Sequence, residues 1–233
     1  MNICGLQKMT LLDYPGKVAC TVFLGGCNFR CPFCHNSELL DGTAPAVTDT
    51  AALLAFLKKR QGLLDGVCIT GGEPTLSPDL PDLLQSIRAL GYAIKLDTNG
   101  FRPDVLRGLV EEGLVDYVAM DIKNSPAAYA ETAGLPKLDL SRMEDSIRYL
   151  ATGAVDYEFR TTVVKPLHTP ATIADMGRWL FDLTGGVTKL FLQPFTDRDT
   201  VPFGGLSAPD EQELCDYVNI LSRYVNSVTL RGV

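Results

Sequence analysis

The chain has 233 residues, 46% of them hydrophobic, with 21 basic against 28 acidic side chains and a net charge of −7. This is apolar material enough for one large core, and an acidic balance without a Lys/Arg cluster argues against nucleic acid or an anionic membrane as partner. No run of about 18 apolar residues occurs, and Met1-Asn2-Ile3-Cys4-Gly5 lacks the basic and apolar regions of a secretion signal, so a cytoplasmic protein is expected.

Short apolar runs alternate with longer amphipathic ones. In chain order the pattern predicts a strand over 18–24, a helix near 50–60, a strand over 66–70 and a helix near 79–90. It continues with strand 93–97, helix 104–112, strand 117–122 and helix 141–151, then strand 157–164, helix 170–183, strand 189–193 and helix 209–224. The strands are rich in Val, Ile, Phe or Tyr and bounded by Gly, Pro, Asn or Asp. Asp49-Thr50, Ser77-Pro78-Asp79 and Pro209-Asp210 read as helix starts. Such alternation implies parallel strands joined by right-handed crossovers. Six units are too few to close an eight-stranded barrel. The expected fold is therefore α/β, a partial (β/α)6 TIM-like barrel in a single domain over 1–233, with a doubly wound sheet as the alternative. The two longest connections, 124–140 and 194–208, are long enough to suggest a function.

Seven cysteines in a cytoplasmic chain do not suggest a disulfide framework. Cys20 and Cys68 lie in apolar runs and read as core, while Cys4 and Cys215 stand alone. The informative segment follows the first strand: Gly25-Gly26-Cys27-Asn28-Phe29-Arg30-Cys31-Pro32-Phe33-Cys34-His35-Asn36. Three thiolates at C-x3-C-x2-C spacing need a soft metal centre between them. A structural zinc site is closed by four ligands, whereas three leave a position open for chemistry. The competing reading is zinc with His35 as fourth ligand, although His35 directly follows Cys34 and the only other histidine is His168. Gly25 and Gly26 free the backbone to wrap a bulky group. Phe33 either covers one side of the site or belongs to the core.

The C-x3-C-x-aromatic-C pattern resembles the signature of the radical S-adenosylmethionine (SAM) superfamily. The resemblance implies that Cys27, Cys31 and Cys34 hold one [4Fe–4S] cluster. Its open iron would chelate the amino and carboxylate groups of SAM, and an electron from the cluster would cleave SAM to methionine and a 5′-deoxyadenosyl radical. Thr70-Gly71-Gly72-Glu73-Pro74 ends the second strand, where glycines admit a ligand to the backbone and a carboxylate suits an ammonium. It resembles the family's GGE motif, which holds the methionine amino group. Asp97-Thr98-Asn99-Gly100 and Asp121-Ile122-Lys123 end the third and fourth strands. In activators of glycyl radical enzymes, similar segments contact the SAM ribose and carboxylate, and their Asp residues contribute to a monovalent-cation site. These roles pass by resemblance to Asp97, Thr98, Asp121 and Lys123. Arg160, flanked by residues of a buried strand, should face an anion; the resemblance implies the bound cofactor. Gln193, ending the sixth strand, would meet the adenosine. No side chain beyond the cluster and SAM ligands receives a catalytic role. Apart from mid-strand Arg160, every one of these motifs falls at the C-terminal end of a different strand, the edge that carries the active site in parallel α/β folds.

A narrower resemblance runs along nearly the whole chain. Gly5-Leu6-Gln7, Leu12-Asp13-Tyr14-Pro15-Gly16, the cysteine segment, Leu96-Asp97-Thr98-Asn99-Gly100 and Val118-Ala119-Met120-Asp121-Ile122-Lys123 resemble the anaerobic ribonucleoside-triphosphate reductase activating proteins, in their longer form related to pyruvate formate-lyase activating enzyme. Such proteins take a hydrogen from a backbone glycine of a partner, a glycyl radical enzyme, with a flavodoxin- or ferredoxin-type electron donor. Lys165-Pro166 departs from the Val-Pro-Gly often found there. Two alternatives stand beside this reading. One is a radical SAM enzyme acting on a small molecule or peptide. The other is a non-catalytic iron–sulfur or zinc-binding module, which would have no use for Gly71-Gly72-Glu73.

Overall fold

The computed structural model describes residues 1–232. They divide into two compact units, one of residues 1–28 and 38–119, the other of residues 29–37 and 120–232. In the first unit lie β1 (Ile3–Thr10), β2 (Ala19–Leu24), α1 (Thr50–Lys59), β3 (Gly66–Gly71), α2 (Leu80–Ala89), β4 (Ala93–Thr98) and α3 (Pro103–Glu111). β5 (Tyr117–Asp121) contributes residues to both units. The second unit continues with α4 (Tyr129–Thr132), α5 (Ser141–Ala151), β6 (Asp156–Val163), α6 (Pro170–Thr184), β7 (Lys189–Pro194), α7 (Glu211–Leu221) and β8 (Ser227–Leu230). Within each unit the strands neighbour one another in chain order. β2 is parallel to β3 and β3 to β4 in the first unit; β6 is parallel to β7 and β7 to β8 in the second.

The six expected strands appear within a residue or two at each end. In β2 to β5 the inner positions are continuously buried (Val67, Cys68 and Ile69 of β3 have no exposed surface), the mark of strands covered on both faces, while β6 and β7 mix buried with half-buried positions. Helices bury their 3/4-spaced stripes: Leu80, Leu83, Leu84 and Ile87 in α2, and Ile173, Met176 and Leu180 in α6. Cys20 and Cys68 are core residues as expected, and burial pushes the Cys20 thiol up to about 12. Asp49 caps α1 through Ala52 N, and Asp210 forms a capping box with Glu213 at α7. Asp79 does not cap α2; its carboxylate pairs instead with the amino terminus of Met1 at 3.1 Å.

Two strands lie outside the expected six. β1 pairs antiparallel with β2, and its middle is half-exposed or exposed, so it lacks the buried run that marks the others. β8 has only four residues, half of them exposed. Terminal strands carry weak hydrophobic signals because one side has no neighbour to bury against. The connection 124–140 is likewise not a plain loop: it contains α4, with Tyr129 and Thr132 buried. Among the described residues no helix is long and apolar enough to cross a membrane.

Candidate functional site

In the first unit the chain leaves β2 through Gly25 and Gly26. Gly26 donates its N–H to Leu39 O (2.7 Å) and Cys27 to Leu40 O (3.0 Å), which fixes the start of the cysteine segment. The turn after β3 packs directly on it. Gly72 N–H reaches Leu24 O, and Glu73 N–H reaches Gly26 O at 2.8 Å. A Cβ on Gly71, whose φ is +118°, would lie 2.3 Å from Leu24 O, and one on Gly72 would lie 2.1 Å from Gly26 O. Both glycines are thus required by backbone meeting backbone. Gly71 thereby meets the end of β2 and Gly72 meets the cysteine segment, and neither contact bears on the ligand that sequence reasoning gave them.

Glu73 is buried to 2% exposure. Its Oε1 accepts from Thr75 N, Thr75 Oγ1 and Thr98 Oγ1 (2.8 Å), and its Oε2 from Asn99 N (2.6 Å). Burial pushes its carboxyl up, against the pull of these donors. The carboxylate therefore pins the end of β3 to the Asp97–Gly100 turn. Each carboxylate oxygen has about two acceptor positions, so the room for a further donor such as an ammonium is on Oε2. Asn99 extends the network by donating Nδ2 to Asn28 Oδ1 (2.8 Å), between Cys27 and Cys31 in the chain. Beneath it, the Asp97 carboxylate carries the ammonium of Lys95, a residue with 2% exposure.

In the second unit, Phe33 is buried and Cys34 N–H closes a turn on Cys31 O (3.1 Å). Arg30 N–H reaches Ala133 O (2.8 Å), and a Cβ on Gly134 (φ +68°) would lie 1.9 Å from Arg30 O. The connection 124–140 is therefore packed on the cysteine segment. Burial raises the Cys31 and Cys34 thiols, while Lys123 acts on both in the opposite sense. Lys123 is held by Asp121 Oδ2 at 3.0 Å, and Arg160 places Nε and a terminal nitrogen on Asp121 Oδ1, both at 3.0 Å. Burial works to raise the Asp121 carboxyl, but the Arg160 guanidinium and the Lys123 ammonium outweigh it and hold it at about 2. The anion that Arg160 faces is thus Asp121. His168 fixes the backbone here: its Nε2 meets Lys123 O at 2.8 Å and its Nδ1 accepts from Val164 N (3.1 Å). Burial pushes His168 below 6.5, so the ring is neutral and donates to Lys123 O through Nε2–H.

Gln193 donates to Thr162 Oγ1 at 3.1 Å. His35 commits its Nε2 to Thr196 O (2.6 Å), stacks on Phe195 with ring centroids 5.6 Å apart, and accepts from Thr200 Oγ1 at its carbonyl (2.7 Å). It ties down the segment after β7. Sequence reasoning passed over Asn28, Lys95 and His168, and gave Asn99 no role of its own. An uncharged or mid-strand residue carries no local mark of the partner it will meet.

Cys27, Cys31 and Cys34 form no disulfide, and among the described residues no three His, Cys, Asp or Glu side chains converge on a single ion. A cubane cluster does not ask for that, since each thiolate binds a different iron. Two of these thiols, Cys31 and Cys34, lie in the field of the Lys123 ammonium, a setting that suits an anionic iron–sulfur cluster.

The family description "Radical SAM superfamily" matches residues 21–180. A protein of Methanocaldococcus jannaschii provisionally assigned as a glycyl-radical enzyme activating enzyme is 29% identical over 240 residues, covering 99% of this chain and 96% of its own. A 7-carboxy-7-deazaguanine synthase of Neisseria meningitidis is 33% identical over 140 residues, 60% of this chain and 57% of its own. Among solved structures, a domain of pyruvate-formate lyase-activating enzyme from Bacteroides vulgatus has a TM-score of 0.57 at 20% identity, over 72% of this chain and 99% of its own, and shares the open, parallel α/β fold.

Proposed function

Because the chain belongs to the radical SAM superfamily, we propose that it activates a glycyl radical enzyme, as a single core domain over 1–233. On this reading Cys27, Cys31 and Cys34 hold the [4Fe–4S] cluster. When bound and given one electron, cluster and SAM would supply hydrogen abstraction from the partner's backbone glycine, with SAM cleaved to methionine and 5′-deoxyadenosine. The chain's own residues bind and orient. Gly71 and Gly72 bring the turn against the cysteine segment, Glu73 offers Oε2 to the SAM ammonium, and Thr98 and Asp97 face the ribose. Lys123 and Arg160, gathered on Asp121, bring positive charge towards the cluster and the SAM carboxylate. Phe33 closes one side, and Gln193 meets the adenosine. The partner is anaerobic ribonucleoside-triphosphate reductase, the electron donor a flavodoxin- or ferredoxin-type protein, and the compartment the cytoplasm.

One observation carries this reading. The likeness to the Methanocaldococcus jannaschii protein runs over 99% of this chain and 96% of that one, whereas the likeness to the Neisseria meningitidis synthase covers 60% of this chain. A shared cofactor core accounts for a partial match; an end-to-end match also takes in the segments a macromolecular partner would meet. The test is electron paramagnetic resonance on reduced enzyme, SAM and the partner reductase. An organic radical is expected that disappears when the partner's glycine is replaced by alanine or when Cys31→Ala enzyme is used, with 5′-deoxyadenosine as co-product. Accumulation of 5′-deoxyadenosine with a small metabolite, and no radical on any glycyl radical enzyme of the source organism, would transfer the chain to the small-molecule class.

A further inference from the structure

A lysine in the middle of β4 has no route to water for its ammonium, and removing such a charge from solvent is costly unless a partner meets it. Lys95 and Asp97 are two residues apart, so the alternation of a strand places both on one face. The Asp97 carboxylate takes the Lys95 ammonium directly. Cys68, level with Lys95 on β3, has its sulfur 3.8 Å from the same nitrogen. The side chain of Asp97 is 14% exposed against 2% for Lys95, so the pair is sealed at its cationic end and reachable at its carboxylate.

This does not fit a monovalent cation on Asp97. A carboxylate that already carries an ammonium has lost most of its attraction for a second cation, which would also be repelled by the first. Asp121, the other carboxylate that the resemblance assigned to such an ion, carries Lys123 and Arg160. We propose that the Lys95 ammonium is the resident counter-cation of Asp97 and takes the place of the monovalent ion, so that this chain binds SAM without potassium or sodium. The inference rests on reading Asp97 as a SAM contact. Neutralised from below, Asp97 keeps its place beside Thr98, whose hydroxyl is bonded to Glu73, and accepts hydrogen bonds from ligand hydroxyls while presenting little net charge. Lys95 acts through Asp97 and is a positioning residue.

The experiment titrates the full-length, cluster-reconstituted protein with SAM by equilibrium dialysis, in potassium, sodium and choline buffers of equal ionic strength. Wild-type affinity should agree within about twofold across the three. Lys95→Met keeps much of the stem but not the charge. It should bind SAM about tenfold more weakly in choline and recover in potassium or sodium, which can then enter beside the bare carboxylate. A pair that serves packing alone would leave the variant indifferent to the cation present. Wild-type binding that requires potassium or sodium overturns the inference. So does a folded Lys95→Met protein with full affinity in choline, or a loss that neither ion restores. The wild-type series decides the matter even if the variant fails to fold. Absence of SAM binding in every buffer overturns the cofactor reading and this inference with it, whereas ion-dependent binding overturns the inference alone.

Discussion

Two carboxylates at strand ends are stabilised by opposite means. Glu73, after β3, is surrounded by neutral donors: two threonine hydroxyls and the N–H groups of Thr75 and Asn99. Asp121, at the end of β5, is surrounded by charge: the Lys123 ammonium and the two-pronged Arg160 guanidinium. Dipoles do not make up for the loss of water around Glu73, and its carboxyl is pushed up. Charges overcompensate around Asp121, which is held at about 2. Hydrogen bonds to an anion each offset part of its desolvation, whereas an opposite full charge in a poorly screened site offsets more. The first arrangement serves geometry, locking two turns together. The second serves electrostatics, gathering cations where Lys123 acts on the Cys31 and Cys34 thiols.

The largest effect that could break this contrast is expected at Asp121. Asp121→Asn strands two largely buried cations and should lower stability by about 3 kcal/mol, read from urea midpoints at neutral pH. A loss no larger than that of an exposed ion pair would show the cluster to be surface decoration. The same residue sets an acid limb. Its folded value of about 2 lies below the ordinary 3.8, so its contribution is complete above pH 3.8 and is lost as pH falls towards 2. That loss amounts to roughly 2 kcal/mol, and Asp121→Asn should lack it.

Glu73→Gln comes next. It keeps the shape and one accepting oxygen but not the charge, so the cluster should be retained while SAM affinity falls about ten- to a hundredfold, equivalent to roughly 1.5–3 kcal/mol. Unchanged affinity in the cluster-replete variant would reduce Glu73 to a turn-builder. The pH response should run opposite to that of Asp121. A carboxyl raised by folding loses stability for the wild type as pH climbs above 4.5, so Glu73→Gln should gain on the wild type over that range.

The smallest effect concerns His168, which supports the charged site without touching its carboxylate. Its value is lowered from 6.5 by burial, so the unfolded chain binds the proton more readily and stability should decline as pH falls below about 6.5. His168→Gln should flatten that slope in urea midpoints measured between about pH 5 and 7.5. An unchanged slope would assign it to other groups.

Much of this was legible in the chain. The six strands announced themselves as short, mostly apolar runs, because strands covered on both faces bury most of their side chains. β1 and β8 did not, since a partly exposed strand of mixed composition resembles a loop. At the site, the residue types of Glu73, Asp97, Asp121 and Lys123 were readable from their motifs, but what each touches was not. The glycines before Glu73 were legible as necessary, yet the reason lies in Leu24 and Gly26, whose carbonyls stand where a Cβ would be.

By itself the sequence determined the chemistry on offer: three soft thiols within eight residues, a carboxylate behind paired glycines, and acidic residues punctuating the ends of apolar strands. These are properties of residue type and short spacing, which local inspection captures completely. Only the tertiary structure decided how that chemistry is tuned. Arg160 reaches Asp121 across 39 residues of chain, His168 reaches the Lys123 carbonyl across 45, and Asn99 reaches Asn28 across 71. Even Lys95, two positions from Asp97, drew no notice in the sequence, and only its burial shows that its ammonium must be met by that carboxylate. A side chain's charge state and aim depend on what excludes its water and what replaces it, and that is settled when distant strands and loops are laid side by side.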